Sequence, residues 1–152
     1  SVMEKLELRR ANRNDVKMLF EWRNDPSTRT NSLQSAPLEW EKHLNWLAAC
    51  LENPNRFLYI AEMNHIPCGT VRADKIGSEY ELSWTVAPAE RGKGIGQLLV
   101  AALIATLPPD AYYQAVVLTE NAASHKIAQR LGMEIIEVDN EVVTYQGRKK
   151  SS

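Results

Sequence analysis

A glycine-rich turn between a strand and an apolar helix, at residues 86–99, constrains the fold more than any other part of the chain. It reads Val-Ala-Pro-Ala-Glu-Arg-Gly-Lys-Gly-Ile-Gly-Gln-Leu-Leu, so proline ends the strand and the helix begins inside the turn. Such a turn presents several backbone N–H groups and the positive end of a helix dipole to one point, which suits a diphosphate. Its glycines let phosphates reach the backbone without a Cβ in the way. We therefore predict a strand–turn–helix unit that binds phosphate groups.

Two other phosphate-binding loops do not fit this stretch. A P-loop needs Gly-Lys followed by Ser or Thr, but Gly92-Lys93 is followed by Gly94, which leaves no hydroxyl for a magnesium ion. The dinucleotide fingerprint has the spacing Gly-x-Gly-x-x-Gly after an early strand, whereas the glycines here alternate and lie late in the chain. Glycines that serve only tight strand-to-helix packing stay open as the alternative.

The remaining sequence alternates between strand and helix patterns and contains no linker. In the strand predicted at residues 80–86, the even-numbered residues share the apolar face and the odd-numbered residues share the polar face. The first helix is predicted to end at Asp25-Pro26, and residues 27–37 to form a loop. An apolar stripe predicts the buried face of the second helix, namely Trp40, Leu44, Leu47 and Leu51. We predict one α/β domain over residues 1–152, with a mixed central sheet of about seven strands, about four helices and a disordered tail at 147–152.

Composition and charge exclude several classes of function. The net charge of −1 lacks the excess positive charge typical of nucleic-acid-binding proteins. The longest apolar run, residues 98–107, is about half the length that a membrane-spanning helix needs. We expect no secretory signal, because the first residues lack a basic segment followed by an apolar one, and the two cysteines are too few for a disulfide framework. We expect a cytoplasmic protein with no nucleic-acid or membrane partner, and no metal site, because the histidines lack metal-ligand spacing.

Two motifs together resemble those of the GNAT N-acetyltransferases. The first is Arg91-x-x-Gly94-x-Gly96, between the strand and the apolar helix. The second is Leu-Thr-Glu-Asn-Ala-Ala-Ser at residues 118–124, followed by Leu-Gly-Met at 131–133. The order of elements over residues 4–146 is also similar to that of the family. The resemblance implies the GNAT fold, in which two neighbouring parallel strands splay apart and hold acetyl-CoA between them.

The resemblance also implies which residues bind acetyl-CoA, the cosubstrate. Backbone groups of the strand before the turn would bind the pantetheine arm, the amides of the turn would hold the pyrophosphate, and an asparagine side chain would contact the pantetheine. These residues are Trp84, Thr85 and Val86, then Arg91, Gly92, Lys93, Gly94, Ile95, Gly96 and Gln97, and finally Asn121. Asparagine is also a favoured helix N-cap, so both roles stay open for Asn121.

The implied reaction is direct transfer of acetyl from the thioester to a primary amine. An amine is protonated at neutral pH and must lose a proton before or during attack. Glu81 is the candidate base, with Glu79 on the same strand face as the alternative, and a salt bridge or solvent exposure as the non-catalytic interpretation. Many family members carry a tyrosine on the last helix that protonates the leaving thiolate, but the matching position here is Ala128. The candidates left to protonate the thiolate in place of the tyrosine are His125, Tyr145 and a water molecule.

The acceptor is the least constrained part of the interpretation. Phe-Glu-Trp-Arg-Asn-Asp-Pro at 20–26 and Glu-x-His-Leu-x-Trp at 41–46 resemble acetyltransferases of nucleotide-linked amino sugars such as those of the pseudaminic-acid pathway. They are more loosely similar to acetyltransferases of ribosomal-protein N-termini. Arg23 with Trp22 or Trp46 would pair a phosphate and stack a base or sugar. The alternative for Trp22 is a core anchor, and for Arg23 a structural donor to the following loop.

Three functions and two assembly states stay open from the sequence. The first function is acetyl-CoA-dependent N-acetylation of a small amine. The second is protein N-terminal or lysine acetylation, and the third is a non-catalytic acyl-CoA sensor, which the missing tyrosine favours. A monomer and a homodimer are both compatible with this fold.

Overall fold

A computed structural model describes residues 5–33 and 35–150 as one mixed sheet with helices on both faces. The strand order is β1-β2-β3-β4-β5-β7-β6, and all neighbours are antiparallel except β4 and β5. The strands are β1 (Leu6–Arg10), β2 (Arg56–Met63), β3 (Ile66–Ile76), β4 (Glu79–Val86), β5 (Tyr112–Leu118), β6 (Glu134–Val138) and β7 (Val142–Arg148). The helices are α1 (Val16–Asn24), α2 (Pro26–Thr30), α3 (Trp40–Glu52), α4 (Ile95–Ala105) and α5 (Ala122–Arg130). The predicted α/β class with seven strands is confirmed, and one short helix was not predicted.

The core has two parts, one on each face of the sheet. On the first face the apolar helix α4 packs against the strands, and Leu99, Val100 and Leu103 are fully buried. On the second face α1 and α3 form a smaller cluster around Leu19 and Leu47. The alternation of β4 is as predicted, because Tyr80 and Leu82 join the first core. The polar face of β4 is therefore the one beneath α1 and α3.

The parallel strands β4 and β5 pair over only a short distance. Their register contains two pairs, Tyr80 with Tyr113 and Glu81 with Gln114. Beyond Glu81 the remainder of β4 has no partner on its β5 side, while β5 continues to Leu118 paired only with β7. This divergence is the predicted splay, and it opens a gap in the middle of the sheet.

The segment predicted as a loop at 27–37 begins with a helix instead. Pro26 ends α1, but it also occupies the first turn of α2, where a missing N–H costs nothing. The carboxylate of Asp25 caps α2 by accepting from the backbone N–H groups of Ser27 and Thr28 at 3.1 and 3.2 Å. The proline therefore separates two helices rather than a helix and a loop.

The predicted apolar stripe of the second helix is partly wrong. The buried residues of α3 are His43, Leu47 and Cys50, whereas Trp40 and Leu44 are 42% and 38% exposed. Trp40 is the first residue of the helix, and its ring meets the edge of another ring, that of Phe20, at a centroid distance of 5.0 Å. The buried face of α3 is therefore rotated from the predicted one. The apolar pattern does not count histidine, and His43 occupies a core position in this helix.

The C-terminal end is ordered further than predicted. Strand β7 runs through Arg148, and the backbone N–H of Lys149 donates to the carbonyl of Ala111 at 2.8 Å. Gly147 and Arg148 therefore belong to the sheet, and the predicted tail at 147–152 begins too early. Residues 151 and 152 of that tail lie outside the described residues.

None of the helices in the described parts of the chain is long and apolar enough to cross a membrane.

Candidate active site

A cleft of about 720 Å³ lies where β4 and β5 diverge. Residues 82–86 of β4 form one wall, residues 116–118 of β5 form the other, and the glycine-rich turn closes one end. Helix α4 begins at Ile95, and Gly92 and Gly94 have φ angles of +78° and +74°. The turn thus uses a left-handed backbone that glycine adopts without strain. It brings the first, unpaired amides of α4 to the end of the cleft.

The structure brings together nearly all of the residues predicted to bind the cosubstrate. Those that line the cleft are Trp84, Thr85, Val86, Arg91, Gly92, Gly94, Ile95, Gly96, Gln97 and Asn121. The predicted residue that does not line it is Lys93, whose ammonium pairs with the carboxylate of Glu90 at 3.0 Å. Arg91 is therefore the cation of the turn that lines the cleft.

Gly96 has a packing role in addition to its place on the cleft wall. A Cβ at this position would lie 2.6 Å from Cδ1 of Ile127 and 3.4 Å from Cγ2 of Val86. Gly92 and Gly94 differ, because a Cβ on either would meet nothing within 4 Å. The packing interpretation of the glycines therefore applies to Gly96, while the other two keep open space for a ligand.

Arg91 connects the glycine-rich turn to the short helix α2. Its guanidinium pairs with the carboxylate of Asp25 at 3.1 Å and donates to the hydroxyl of Thr28. Asp25 already caps α2, so one carboxylate serves both the helix and the turn. This contact places α2 and the segment after it along the cleft, which Thr28, Leu33 and Leu38 also line.

Helix α5 supplies cleft residues that the sequence analysis missed. Ala123, Ser124 and Ile127 line the cleft together with the cations Lys126 and Arg130, and their spacing of three and four residues along one helix could have revealed that face. The Asn121 side chain accepts from the N–H of Ser124 at 3.2 Å, so it is the N-cap of α5 as well as a cleft residue. The indole N–H of Trp84 donates to Oγ of Ser124 at 3.1 Å.

The charged side chains of the cleft are predominantly basic. Among the described residues that line it, the acidic one is Glu90, and the basic ones are Arg23, Arg72, Arg91, Lys126 and Arg130. Such a charge balance favours an anionic ligand. The described residues contain no group of three or more His, Cys, Asp or Glu side chains that could hold a metal ion.

Glu81 lies beside the cleft and is not one of its lining residues. It belongs to the polar face of β4, two residues before Ser83, which does line the cleft. Its cross-strand neighbour is Asp74, whose carboxylate is held by Arg56 at 3.6 Å and by Arg72 at 3.1 Å. Within the described ranges Glu81 has no ion-pair partner, so it is the less constrained carboxylate of the two.

Neither side chain predicted to replace the missing tyrosine reaches the cleft. The Tyr145 hydroxyl, which is buried, donates to Nδ1 of His125 at 2.7 Å, and Nε2 of that ring donates to the carbonyls of Leu118 and Thr119. Neither residue lines the cleft, and Ala128 is fully buried. His125 and Tyr145 therefore join α5 to β5 and β7 outside the cleft.

A smaller pocket of about 70 Å³ adjoins the cleft beneath α1 and α3. Arg23 and Trp46 line it, as does Arg72, and the Arg23 guanidinium carbon lies 3.9 Å from the centroid of the Trp46 ring. Trp22 lines neither cavity and packs against the core cluster of α1 and α3. Arg23 and Trp46, two of the three residues predicted to bind the acceptor, thus meet at the pocket. Trp22, the third, lies in the core, which was its alternative interpretation.

A buried neutral histidine holds Arg23 in place. Nε2 of His43 donates to the carbonyl of Val16 at 2.8 Å, so Nδ1 is the acceptor that receives Nη1 of Arg23 at 3.1 Å. Burial, and after it the positive charge of Arg23, lowers the pKa of His43 from the ordinary value of about 6.5. Protonation would remove the acceptor and place two cations side by side.

We expect His43 to make the protein less stable in mild acid. The unfolded chain takes up the proton at a higher pH than the folded chain, so the free energy of unfolding should fall as the pH drops below about 6.5. Urea unfolding at a series of pH values should show this fall in the wild type and in His65→Gln, an exposed histidine. The fall should be absent in His43→Gln, and equal falls in all three proteins would contradict the assignment.

Comparison with known families identifies the family of the chain. A family model described as the acetyltransferase (GNAT) domain matches residues 5–134. The chain belongs to the GNAT family. No curated protein sequence matches it significantly. The family membership agrees with the splayed strands and the phosphate-type turn described above.

Solved structures confirm the GNAT fold over almost the whole chain. A domain from Methanocaldococcus jannaschii is 24% identical, with a TM-score of 0.81, and the match covers 96% of this chain and 99% of that one. Spermidine N-acetyltransferase from Vibrio cholerae, in complex with CoA and spermine, is 15% identical, with a TM-score of 0.83 and coverage of 95% of each chain. The yncA protein of Salmonella typhimurium, solved with its cofactor acetyl-CoA, is 19% identical, with a TM-score of 0.74 and coverage of 97% and 95%.

Proposed function

We propose that this GNAT protein transfers acetyl from acetyl-CoA to the primary amine of a small acceptor, with a nucleotide-linked amino sugar as one such acceptor. The observation that carries the proposal is the cleft between the diverging strands, closed at one end by the glycine-rich turn. Structural neighbours that contain CoA or acetyl-CoA support the choice of cosubstrate.

The backbone groups and the charged side chains of the cleft support acetyl-CoA as its ligand. The first amides of α4 and the open space at Gly92 and Gly94 suit the pyrophosphate. Lys126 and Arg130 on α5 add positive charge for the phosphates. Residues 82–86 of β4, which β5 leaves without a partner, offer backbone groups to the amide-containing pantetheine arm.

The reaction needs the acceptor to lose one proton and acetyl-CoA to lose its thiolate. Acetyl-CoA supplies the acetyl group as a thioester, and a C–N bond forms as the C–S bond breaks. Glu81 takes the ammonium proton, directly or through a water molecule. Asp74 is a weaker candidate for the base than Glu81, because Arg56 and Arg72 hold its carboxylate. Glu79 is also weaker, because its carboxylate accepts a hydrogen bond from the Gln146 amide at 3.3 Å.

Release of the thiolate does not depend on a tyrosine. A thiol has a pKa of about 8.5, so a thiolate is a fair leaving group at neutral pH. The cleft contains the hydroxyl of Ser124, whose oxygen accepts a hydrogen bond from the indole N–H of Trp84. That hydroxyl keeps its own proton free for another hydrogen bond.

A non-catalytic acyl-CoA sensor is the second candidate, and a specific observation favours it. The cleft-lining residues include no carboxylate on β4, and the tyrosine position is a buried alanine, Ala128. A sensor would bind acetyl-CoA without turning it over. A transferase would release CoA only when a suitable amine is present.

Thiol release with an acceptor panel distinguishes the two functions. The panel holds a UDP-linked 4-amino sugar, free amino sugars, polyamines and peptides with Ala or Ser at the N-terminus, each supplied with acetyl-CoA. We expect amine-dependent release of CoA with one class of acceptor. Calorimetry with acetyl-CoA alone is the parallel measurement. Tight binding with no amine-dependent release across the panel would favour the sensor and overturn the transferase.

A further inference from the structure

Arg23 is a half-buried cation with no anionic partner. No carboxylate lies within 4.0 Å of its guanidinium among residues 5–33 and 35–150. Its polar contact is with neutral His43, and its flat side lies on the Trp46 ring. Buried charges in proteins are ordinarily paired, because removing a charge from water is costly. The ring contact offsets part of that cost and leaves the net positive charge uncompensated.

Arg72 brings a second guanidinium to the same pocket. It lies on β3, and its guanidinium carbon is 5.9 Å from the centroid of the Trp46 ring, so the indole is close to both cations. Arg72 does have an anionic neighbour, since its Nε is 3.1 Å from the carboxylate of Asp74. Burial, and secondly the positive charge of Arg72, lowers the pKa of Arg23 below its ordinary value. Both groups nevertheless stay charged at neutral pH.

The strand side of the pocket between these cations carries hydroxyl groups among apolar side chains, and none of the described residues that line it is acidic. Its lining includes the hydroxyl-bearing residues Thr70, Ser83 and Thr85, with Trp46 opposite. Its volume of about 70 Å³ corresponds to roughly two water molecules. Arg23, Arg72 and Ser83 also line the cleft, so the pocket opens directly into it. A group as small as a carboxylate or a phosphate fits this space.

We propose that Arg23 and Arg72 form an anion-binding subsite for the acceptor, which is therefore an amine that also carries a phosphate or a carboxylate. The inference rests on the proposed function, because it specifies the acceptor of that reaction. Guanidinium groups bind both anions through paired N–H donors, and phosphate provides more acceptor oxygens. Two cations beside the pocket disfavour polyamines, such as the spermine bound by the Vibrio cholerae enzyme.

Direct anion binding tests the subsite without any acetyl transfer. Inorganic phosphate and, in a separate arm, acetate are titrated by calorimetry into protein saturated with CoA, so that the cosubstrate's phosphate sites are filled. We expect binding in the wild type and in Arg13→Gln, whose side chain is 78% exposed on the surface. Arg23→Gln and Arg72→Gln should each weaken it by about tenfold or more, as expected for a hydrogen bond to a charged group. The anion that binds with the higher affinity, phosphate or acetate, identifies the anionic group of the acceptor.

A matched amine series tests selectivity. The probes are phosphoethanolamine, β-alanine, ethanolamine and 1,3-diaminopropane, which differ mainly in the group remote from the amine. We expect the phosphate or carboxylate amine to have the highest kcat/KM, and Arg23→Gln and Arg72→Gln to remove that preference through KM. Melting temperatures check that the variants fold. If Arg23→Gln does not fold, Arg72→Gln alone carries the test.

The outcomes separate the subsite from the function. Anion binding that depends on both arginines, with no acetylation of any amine, would overturn the proposed function and support the subsite. Acetylation that ignores the remote group, with unchanged anion binding in both variants, would overturn the subsite and support the function. Equal anion binding in the wild type, Arg23→Gln and Arg72→Gln would also overturn the subsite.

Discussion

Replacing Glu81 by glutamine should lower kcat for acetyl transfer by about 10²- to 10⁴-fold, the usual contribution of a general base. Glutamine preserves size and hydrogen bonding but cannot accept the ammonium proton. Binding of acetyl-CoA should be nearly unchanged, because Glu81 is not a cleft-lining residue. The loss should shrink at high pH, where a larger share of the amine is already deprotonated. Steady-state kinetics across pH, with calorimetry for the cosubstrate, measure both effects.

Glu79→Gln is the matched control for this substitution. Glu79 lies on the same face of β4, but it is exposed and is bound by Gln146. It should keep the wild-type rate. A wild-type rate in Glu81→Gln at neutral pH, or equal losses in the two variants, would exclude Glu81 as the base.

Replacing Gly94 by alanine should weaken acetyl-CoA binding by about tenfold or more. Gly94 has a φ angle of +74°, a conformation that costs other residues about 1–3 kcal/mol. The turn can relieve this strain only by changing its backbone, which moves the first amides of α4. A hydrogen bond to a charged phosphate contributes about 1.5–3 kcal/mol, so the loss of one accounts for the expected change.

Gly77→Ala is the matched control for Gly94→Ala. Gly77 also has a positive φ, +63°, and open space around its Cβ position, but it lies in the turn between β3 and β4, outside the cleft. Both variants should lose similar stability in thermal unfolding, and only Gly94→Ala should lose affinity in calorimetry. Unchanged affinity in Gly94→Ala would contradict the assignment of the turn to the phosphates.

The end of the cleft that we propose for the cosubstrate was predictable because it is local in sequence. Residues 86–99 contain the end of β4, the turn and the start of α4 in one continuous segment, and each has its own sequence signal. Asn121 is similarly local, since it caps the helix that follows it. The basic face of α5 was missed, although Lys126 and Arg130 are four residues apart on one helix.

The pocket that we propose for the acceptor was less predictable because it combines distant segments. Arg23 on α1, Trp46 on α3 and Arg72 on β3 meet only once the sheet register and both helices are in place. His43 was not assigned to the core, because its burial depends on partners at Val16 and Arg23 that no local pattern reveals. The helix at Pro26–Thr30 was missed because proline was interpreted only as a terminator.

Following a labelled acetyl group from acetyl-CoA to its acceptor tests the central claim most directly. Protein, deuterated-acetyl CoA and the amine series are incubated together, and mass spectrometry locates the label. We predict labelled acetyl on the amine nitrogen of a phosphate- or carboxylate-bearing acceptor, with the product greatly reduced in Glu81→Gln. Label recovered only as free acetate, or only as intact acetyl-CoA bound to the protein, would contradict the transferase.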